Sequence, residues 1–259
     1  MPRKPRIISS NGIYHITLRS VNQHIIFEET SDYQKFLFIL SDCKKEYDID
    51  IYAYCLMDNH VHLLLFSSPD QLPSFFQSLG TRFARWYNNK NSRTGHLFQE
   101  RYHSQPIDSE GYFLSALVYI HNNPVNANMC KDPSEYRWSS FNAYYGAKDP
   151  LINVEQAYAI AGSKAALQNY FATVDDSPGN DLFFDIHQNT NHFLTDETAL
   201  DIFKSVTKMK SISETAKLNR IERNTYIKTL RQKRLTAKQV ARVMDVSLST
   251  VKRICKMDL

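Results

Sequence analysis

The sequence predicts an α+β fold: a ferredoxin-like antiparallel sheet with helices on one face, followed by an all-helical C-terminal domain containing a helix-turn-helix. Three observations carry this. Over residues 12–123, β-rich runs and amphipathic stretches follow one another as strand, helix, two strands, helix, strand, helix. From Phe193 onward the pattern is helical throughout. The charge changes at the same place: 16 Lys/Arg against 20 Asp/Glu up to His192, then 15 against 7 from Phe193 to Leu259.

Each element has a local cause. "GIYHITLRS" (12–20) mixes Ile13, Ile16 and Leu18 with polar residues as a strand does. In 31–48, Ser31 is a candidate N-cap, and Phe36, Leu37, Leu40 and Cys43 make a helical stripe. "IDIYAYCLM" (49–57) and "HVHLLLFS" (60–67) are β-rich and are separated by Asp58-Asn59, which is turn chemistry. Residues 72–89 form a second helix carrying Arg82 and Arg85, and "RYHSQPI" (101–107) a further strand. Asp108 then caps a helix that Pro124 is expected to end. Short helices follow over 133–172, and "TVDDSPGND" (173–181) has linker composition. The predicted domains are 1–147, a helical extension and acidic linker over 148–192, and a helical domain over 193–259.

Within the last domain, "LTAKQVARVMDVSLSTVKRIC" (235–255) has helix-turn-helix spacing, placed at about 236–256. Thr236 and Gln239 form a capping box, and Val240, Ala241 and Met244 face inward. Asp245 holds the turn, Ser247 caps the second helix, and Val251 and Ile254 line its inner face. Lys238, Arg242, Ser249, Thr250, Lys252 and Arg253 are left as candidate DNA contacts. An ordinary helical hairpin with a solvated basic surface is the alternative.

Composition excludes several classes. With 42% hydrophobic and 12% aromatic residues, the chain is globular rather than disordered. Four scattered cysteines with no C-x-x-C suggest neither a zinc knuckle nor a disulfide framework, and fit a reducing cytosol. No phosphate-loop or dinucleotide fingerprint occurs among seven glycines. The basic start "MPRKPRIISS" is not followed by an apolar signal core, and no apolar stretch is long enough for a membrane span. A cytoplasmic, nucleoid-associated protein is expected. Arg3, Lys4 and Arg6 read as a basic arm.

His60 and His62 stand two apart in a strand, so they share one face, with Val61 on the other. They are either two solvated strand residues or two ligands for one divalent ion. Helix 109–123 offers the groups such a site lacks. Phe113, Ala116, Leu117 and Ile120 form its buried stripe, with Tyr112, Tyr119 and Asn123 along the border. Tyr119 and Asn123, at i and i+4, are neighbours. An amide oxygen can ligate a metal and a phenol can act as a nucleophile. Tyr119 as simple packing is the alternative, and Tyr112 is its rival about 10 Å along the axis. Arg82 and Arg85 share a helix with Phe83, Trp86 and Tyr87. Basic groups among aromatics suit single-stranded DNA, although Phe83 and Trp86 at helical spacing also read as core.

"YAYCLMDNHVHLLL" (52–65), "GHLFQERYHSQPI" (95–107) and "YIHNNPVNA" (119–127), in that order, resemble the REP-associated tyrosine transposases, which belong to the single-strand insertion-sequence type and the His-hydrophobic-His endonuclease superfamily. The resemblance spans roughly 10–145. Asp58 stands where many relatives have Pro. The resemblance implies a metal site of His60, His62 and Asn123 holding Mg²⁺ or Mn²⁺, with Tyr119 as the nucleophile. It also implies cleavage and rejoining of single-stranded DNA near a hairpin through a covalent 5′-phosphotyrosine, by a monomer or homodimer. Double-stranded DNA is a further expected partner, through the C-terminal domain. A DNA-binding regulator with a silent catalytic domain, and a metal-dependent hydrolase without a covalent intermediate, are the alternatives.

Overall fold

The computed structural model describes residues 6–99, 101–173, 196–233 and 235–256. The acidic stretch read as a linker lies outside them apart from Thr173, as do Arg3 and Lys4 of the basic arm. The chain divides into two compact units, residues 1–187 and 188–259.

The first unit is built on four strands, β1 (Ile13–Arg19), β2 (Ile49–Leu56), β3 (His60–Ser67) and β4 (His103–Pro106). They lie in the order β2-β3-β1-β4, with every neighbouring pair antiparallel. This is the ferredoxin-like sheet expected. Helices α1 (Thr30–Glu46) and α2 (Gln71–Lys90) pack on one another. Their shared core includes Phe36 and Phe83, both fully buried and in edge-to-face contact at 5.1 Å. Truncating either ring would cost about 3–5 kcal/mol.

The one-face layout describes α1 and α2 only. Helix α3 (Glu110–Asn126) packs on β2 and β3 from the opposite side, where Phe113 meets Tyr52 edge to face at 5.3 Å. That face carries Ala53, Cys55 and Leu64, all buried, and a sheet face of such residues has to be covered.

Three boundaries differ from expectation for local reasons. Helix α1 starts at Thr30 with Glu29 as N-cap, because the Asp32 carboxylate accepts from the N–H groups of Glu28 and Glu29. Ser109, not Asp108, caps α3 by accepting from the Tyr112 N–H. Asp108 instead accepts from Ser9 and from Ser10, side chain and N–H, and ties down the segment before β1. Pro124 does not end α3. It removes one N–H, but the helix closes its last turn with Ala127 N–H donating to Asn123 O at 2.9 Å.

Helices α4 (Val154–Ile160) and α5 (Lys164–Thr173) belong to the first unit, and their Ala157 and Leu167, with Ala161 at the end of α4, join its core. Segment 138–140 runs along the outer edge of β2, where Leu56 N–H donates to Trp138 O and Ser140 N–H to Tyr54 O. That sheet edge is thereby covered.

The second unit contains α6 (Asp196–Thr207), a 3-10 turn at Ile212–Lys217, α7 (Arg220–Gln232), α8 (Ala237–Val243) and α9 (Leu248–Lys256). Phe203, Ile227, Leu230, Leu235, Val240 and Val251 are fully buried in a core of their own. The Thr236–Gln239 capping box is present. Asp245 takes φ 50 in the turn between α8 and α9, the left-handed conformation that Asp tolerates. No described helix is long and apolar enough to cross a membrane.

Candidate active site

Strand alternation and register together place the site. Thr17 of β1 and Cys55 of β2 both stand opposite His62, and Arg19 stands opposite His60. One sheet face therefore carries His15, Thr17 and Arg19 beside His60, His62 and Leu64. Helix α3 lies over this face and brings Tyr119 to it. The Tyr119 ring meets both His62 and His15 edge to face, with centroids 5.7 Å apart in each case. The His60 and His62 rings are 4.9 Å apart and nearly perpendicular.

The site is dry. Tyr119 is 6% exposed, His60 5%, His62 2% and Asn123 1%. Tyr119 and Asn123 thus lie on the buried side of α3, not along its border as the helical wheel suggested. Helix α3 is covered on two sides, because residues 139–171 pack against its outer face. There His121 bonds Ser140 Oγ at 2.9 Å, with the rings of Phe141, Tyr144 and Phe171 around it. Tyr112, the rival nucleophile, is half-buried, and its hydroxyl accepts from Gln105 Nε2 on β4.

The protonation of the imidazoles follows from their surroundings. Burial, with His60, His15 and Arg19 nearby, holds His62 well below the ordinary imidazole range, so it is a neutral base. Burial, helped by His103, lowers His15 to about 3. His15 Nε2 and His62 Nδ1 are 3.0 Å apart, so one of these neutral rings donates to the other. With the proton on His62 Nδ1, its lone pair falls on Nε2. That atom is buried and has no hydrogen-bond partner among the described residues. His60 shows the same logic: Nδ1 lies 2.6 Å from Asn59 Oδ1, a pure acceptor, which puts the proton on Nδ1 and the lone pair on Nε2. Asn123 Nδ2 donates to Tyr119 O at 2.9 Å, and Asn123 Oδ1 is buried without a partner.

A divalent cation suits this donor set. Two imidazole nitrogens and an amide oxygen are neutral ligands, and two of the three atoms are buried without a partner among the described residues, which normally costs about 1–3 kcal/mol each. Among the described residues no group of three or more His, Cys, Asp and Glu is arranged to hold a metal. The third donor here is an amide, a residue type outside that class.

His15 and Arg19 were not singled out from the sequence. Their signal is the β1–β3 register, which is tertiary. Of the arginines on α2, Arg82 pairs with Glu46 at 2.9 Å and lies near Cys43. Arg85 lines a hollow on the other side of the sheet, with Leu18 and Phe76. Phe83 is fully buried and Trp86 packs against the core, so these rings are core. In the second unit, Arg242, Ser249, Lys252 and Arg253 are exposed, and Lys238 and Thr250 half-exposed. The Ser249 and Thr250 hydroxyls both bond Ser247 Oγ at the start of α9.

Residues 8–123, which include all four strands and the Tyr119–Asn123 pair, match the family described as "Transposase IS200 like". Two solved structures are similar to the chain. One is a REP-associated tyrosine transposase bound to a REP hairpin, at 19% identity over 57% of this chain and 93% of that one, with TM-score 0.49. The other is a protein of Deinococcus radiodurans R1 provisionally assigned as a transposase, at 20% identity over 42% and 89%, with TM-score 0.33. No curated protein matches the chain in sequence. The transposase match ends at Asn123, inside α3, so α4, α5 and the second unit lie beyond it.

Proposed function

We propose that the first unit is a divalent-metal-dependent single-stranded DNA endonuclease and strand transferase that works through Tyr119. One observation carries the reading: His62 Nε2, beside the Tyr119 ring, and Asn123 Oδ1, one helical turn beyond Tyr119, are buried donor atoms without a partner among the described residues.

His60, His62 and Asn123 would hold the ion, Mg²⁺ or Mn²⁺. A bound divalent cation polarises the scissile phosphate. The residues of the chain do the rest. Asn123 links the ligand set to the backbone of the nucleophile, since its Nδ2 donates to Tyr119 O. His15 fixes the His62 ring. Arg19, opposite His60, adds positive charge on the same face. The Tyr119 hydroxyl oxygen attacks phosphorus, its proton is lost, and the bond to the 3′ oxygen breaks. The products are a 5′-phosphotyrosine and a 3′-hydroxyl that has gained a proton. A second 3′-hydroxyl then attacks the phosphotyrosine and restores the phenol. One phosphodiester replaces another, so no nucleotide is consumed, in keeping with a sequence without a phosphate-binding loop. The substrate is single-stranded DNA beside a hairpin. The basic second unit adds affinity for DNA, and a place at the nucleoid follows from that.

The test is a denaturing gel of the protein incubated with single-stranded hairpin oligonucleotides and Mn²⁺ or Mg²⁺. A protein–DNA adduct that disappears in Tyr119→Phe is expected. Free nicked product without adduct, unchanged in Tyr119→Phe, would replace this reading with a water-using hydrolase. DNA binding without cleavage on any substrate would leave a regulator.

A further inference from the structure

On the face of the sheet away from His60 and His62 lies a hollow of about 720 Å³, within the ~300–1,000 Å³ of ordinary ligand sites. Leu18 marks the face, since it alternates with Thr17 and Arg19. The hollow is walled by α2 and by residues 95–102. We propose that this hollow binds single-stranded DNA, with a base against its aromatic wall and the adjoining phosphates on Arg6, Arg85 and Arg101.

Three features support this. The first is charge. Arg6, Arg85 and Arg101 all line the hollow, and among the described residues no acidic one does. None of the three forms an ion pair among the described residues, whereas Arg82, three residues before Arg85, is engaged by Glu46. Guanidinium groups converging on one cavity suit a phosphate chain.

The second is the wall. The Phe76 and Tyr102 rings lie 4.3 Å apart, and the Arg6 guanidinium sits over Tyr102 at 4.0 Å. Phe98 lines the same space. Phe76 and Tyr102 are buried beneath it, so the ring open to a base is the half-buried Phe98, and bases stack on such rings without regard to sequence.

The third is Gly80. It sits inside the 20-residue helix α2, where glycine costs about 1 kcal/mol relative to alanine. A Cβ there would meet only the Phe98 ring, at 3.7 and 3.9 Å, which is ordinary contact. Packing therefore does not require glycine at this position, which lines the hollow.

The inference rests on the reading of the protein as a single-strand DNA enzyme and adds a second contact to it. Tyr119 and the hollow are on opposite faces, and β4 is the edge strand between them on this side of the sheet. A single strand that touches both passes around β4. The hollow therefore holds DNA outside the scissile phosphate, and its role is grip, not chemistry.

The experiment uses the full chain and a 12-nucleotide single strand carrying 5-iodouracil at successive positions. Ultraviolet cross-linking is followed by peptide mapping. Cross-links at Phe98 and its neighbours in the hollow are expected. The paired variant Arg85→Ala/Arg101→Ala should lower single-strand affinity about tenfold and flatten its salt dependence by roughly one to two phosphate contacts. Gly80→Leu should abolish the hollow cross-links, with circular dichroism confirming that it folds. If it does not fold, the two arginine positions, both exposed, carry the test. Cross-links confined to other surfaces, with unchanged affinity in the arginine variant, overturn the proposal. The catalytic reading is scored separately by the Tyr119 adduct. Hollow cross-links without an adduct would sink the chemistry and keep the hollow, and an adduct without hollow cross-links would do the reverse.

Discussion

His15 and His62 face each other across β1 and β3, with Nε2 of one 3.0 Å from Nδ1 of the other. The contact is buried, and where His62 Nδ1 is its donor, His62 Nε2 keeps the lone pair. His15 thus behaves as a positioning residue behind a candidate ligand, the role that carboxylates and carbonyls often fill at metal-binding histidines. His15→Ala should lower Mn²⁺ affinity by about 10–100-fold, read by calorimetry. His15→Gln, which can still accept from His62 Nδ1–H, should recover part of the loss. Equal Mn²⁺ affinity in wild type and His15→Ala would remove this role.

The two tyrosines of α3 should separate cleanly. Tyr112 is committed to Gln105 on β4. Tyr112→Phe should leave adduct formation within about twofold of wild type and cost about 1 kcal/mol of stability from the lost hydrogen bond. Tyr119→Phe should remove the adduct with little change in melting temperature. A Tyr112→Phe protein without adduct would reassign the nucleophile.

His121 predicts acid sensitivity. Burial lowers it to about 3 in the folded state, against about 6.5 in an unfolded chain. Above pH 6.5 it is neutral in both states. As pH falls below 6.5 the unfolded chain takes up the proton first, so stability is lost between about pH 6.5 and pH 3. At ~1.4 kcal/mol per pH unit the span is roughly 3–5 kcal/mol. His15 acts in the same direction. Denaturant titrations at pH 7 and pH 4.5 should show a smaller difference in His121→Gln than in wild type.

Asp58 runs the opposite way. Burial raises it to about 7, the hydroxyl of Tyr33 lies 3.5 Å from Oδ1, and Oδ2 has no partner among the described residues. Its folded pKa lies above the ordinary carboxylate value, so its contribution is fully present below about pH 4 and is lost as pH rises through 7. Asp58→Asn should stabilise the protein by about 2–4 kcal/mol at pH 8 and by almost nothing at pH 4. An equal effect at both values would mean that the carboxyl does not titrate in this window.

The second unit has its own core, so removing residues 193–259 should leave the first unit folded. Affinity for DNA should fall and its dependence on salt should flatten, because the net charge of that segment is +8. Unchanged affinity in a filter-binding titration would show that these cations do not contact DNA.

Much of the fold was legible because it is local. Alternation in 13–19 and 60–67, the helical stripes of α1 to α3 and the Thr236–Gln239 cap are written at periods of two and 3.6 residues, which the backbone imposes on any chain. His60 and His62 on one strand, and Tyr119 and Asn123 on one helix, follow from the same rules. Local rules could not show that Tyr119 meets the histidines. That took the register that sets His62 against Thr17 and the packing of α3 on the histidine face. Register and packing also brought in His15 and Arg19, separated Arg82 with its carboxylate partner from Arg85 in its hollow, and buried a tyrosine that a helical wheel leaves on the border. Each of these is a long-range contact, fixed by which apolar faces had to be covered and not by the identity of near neighbours in sequence.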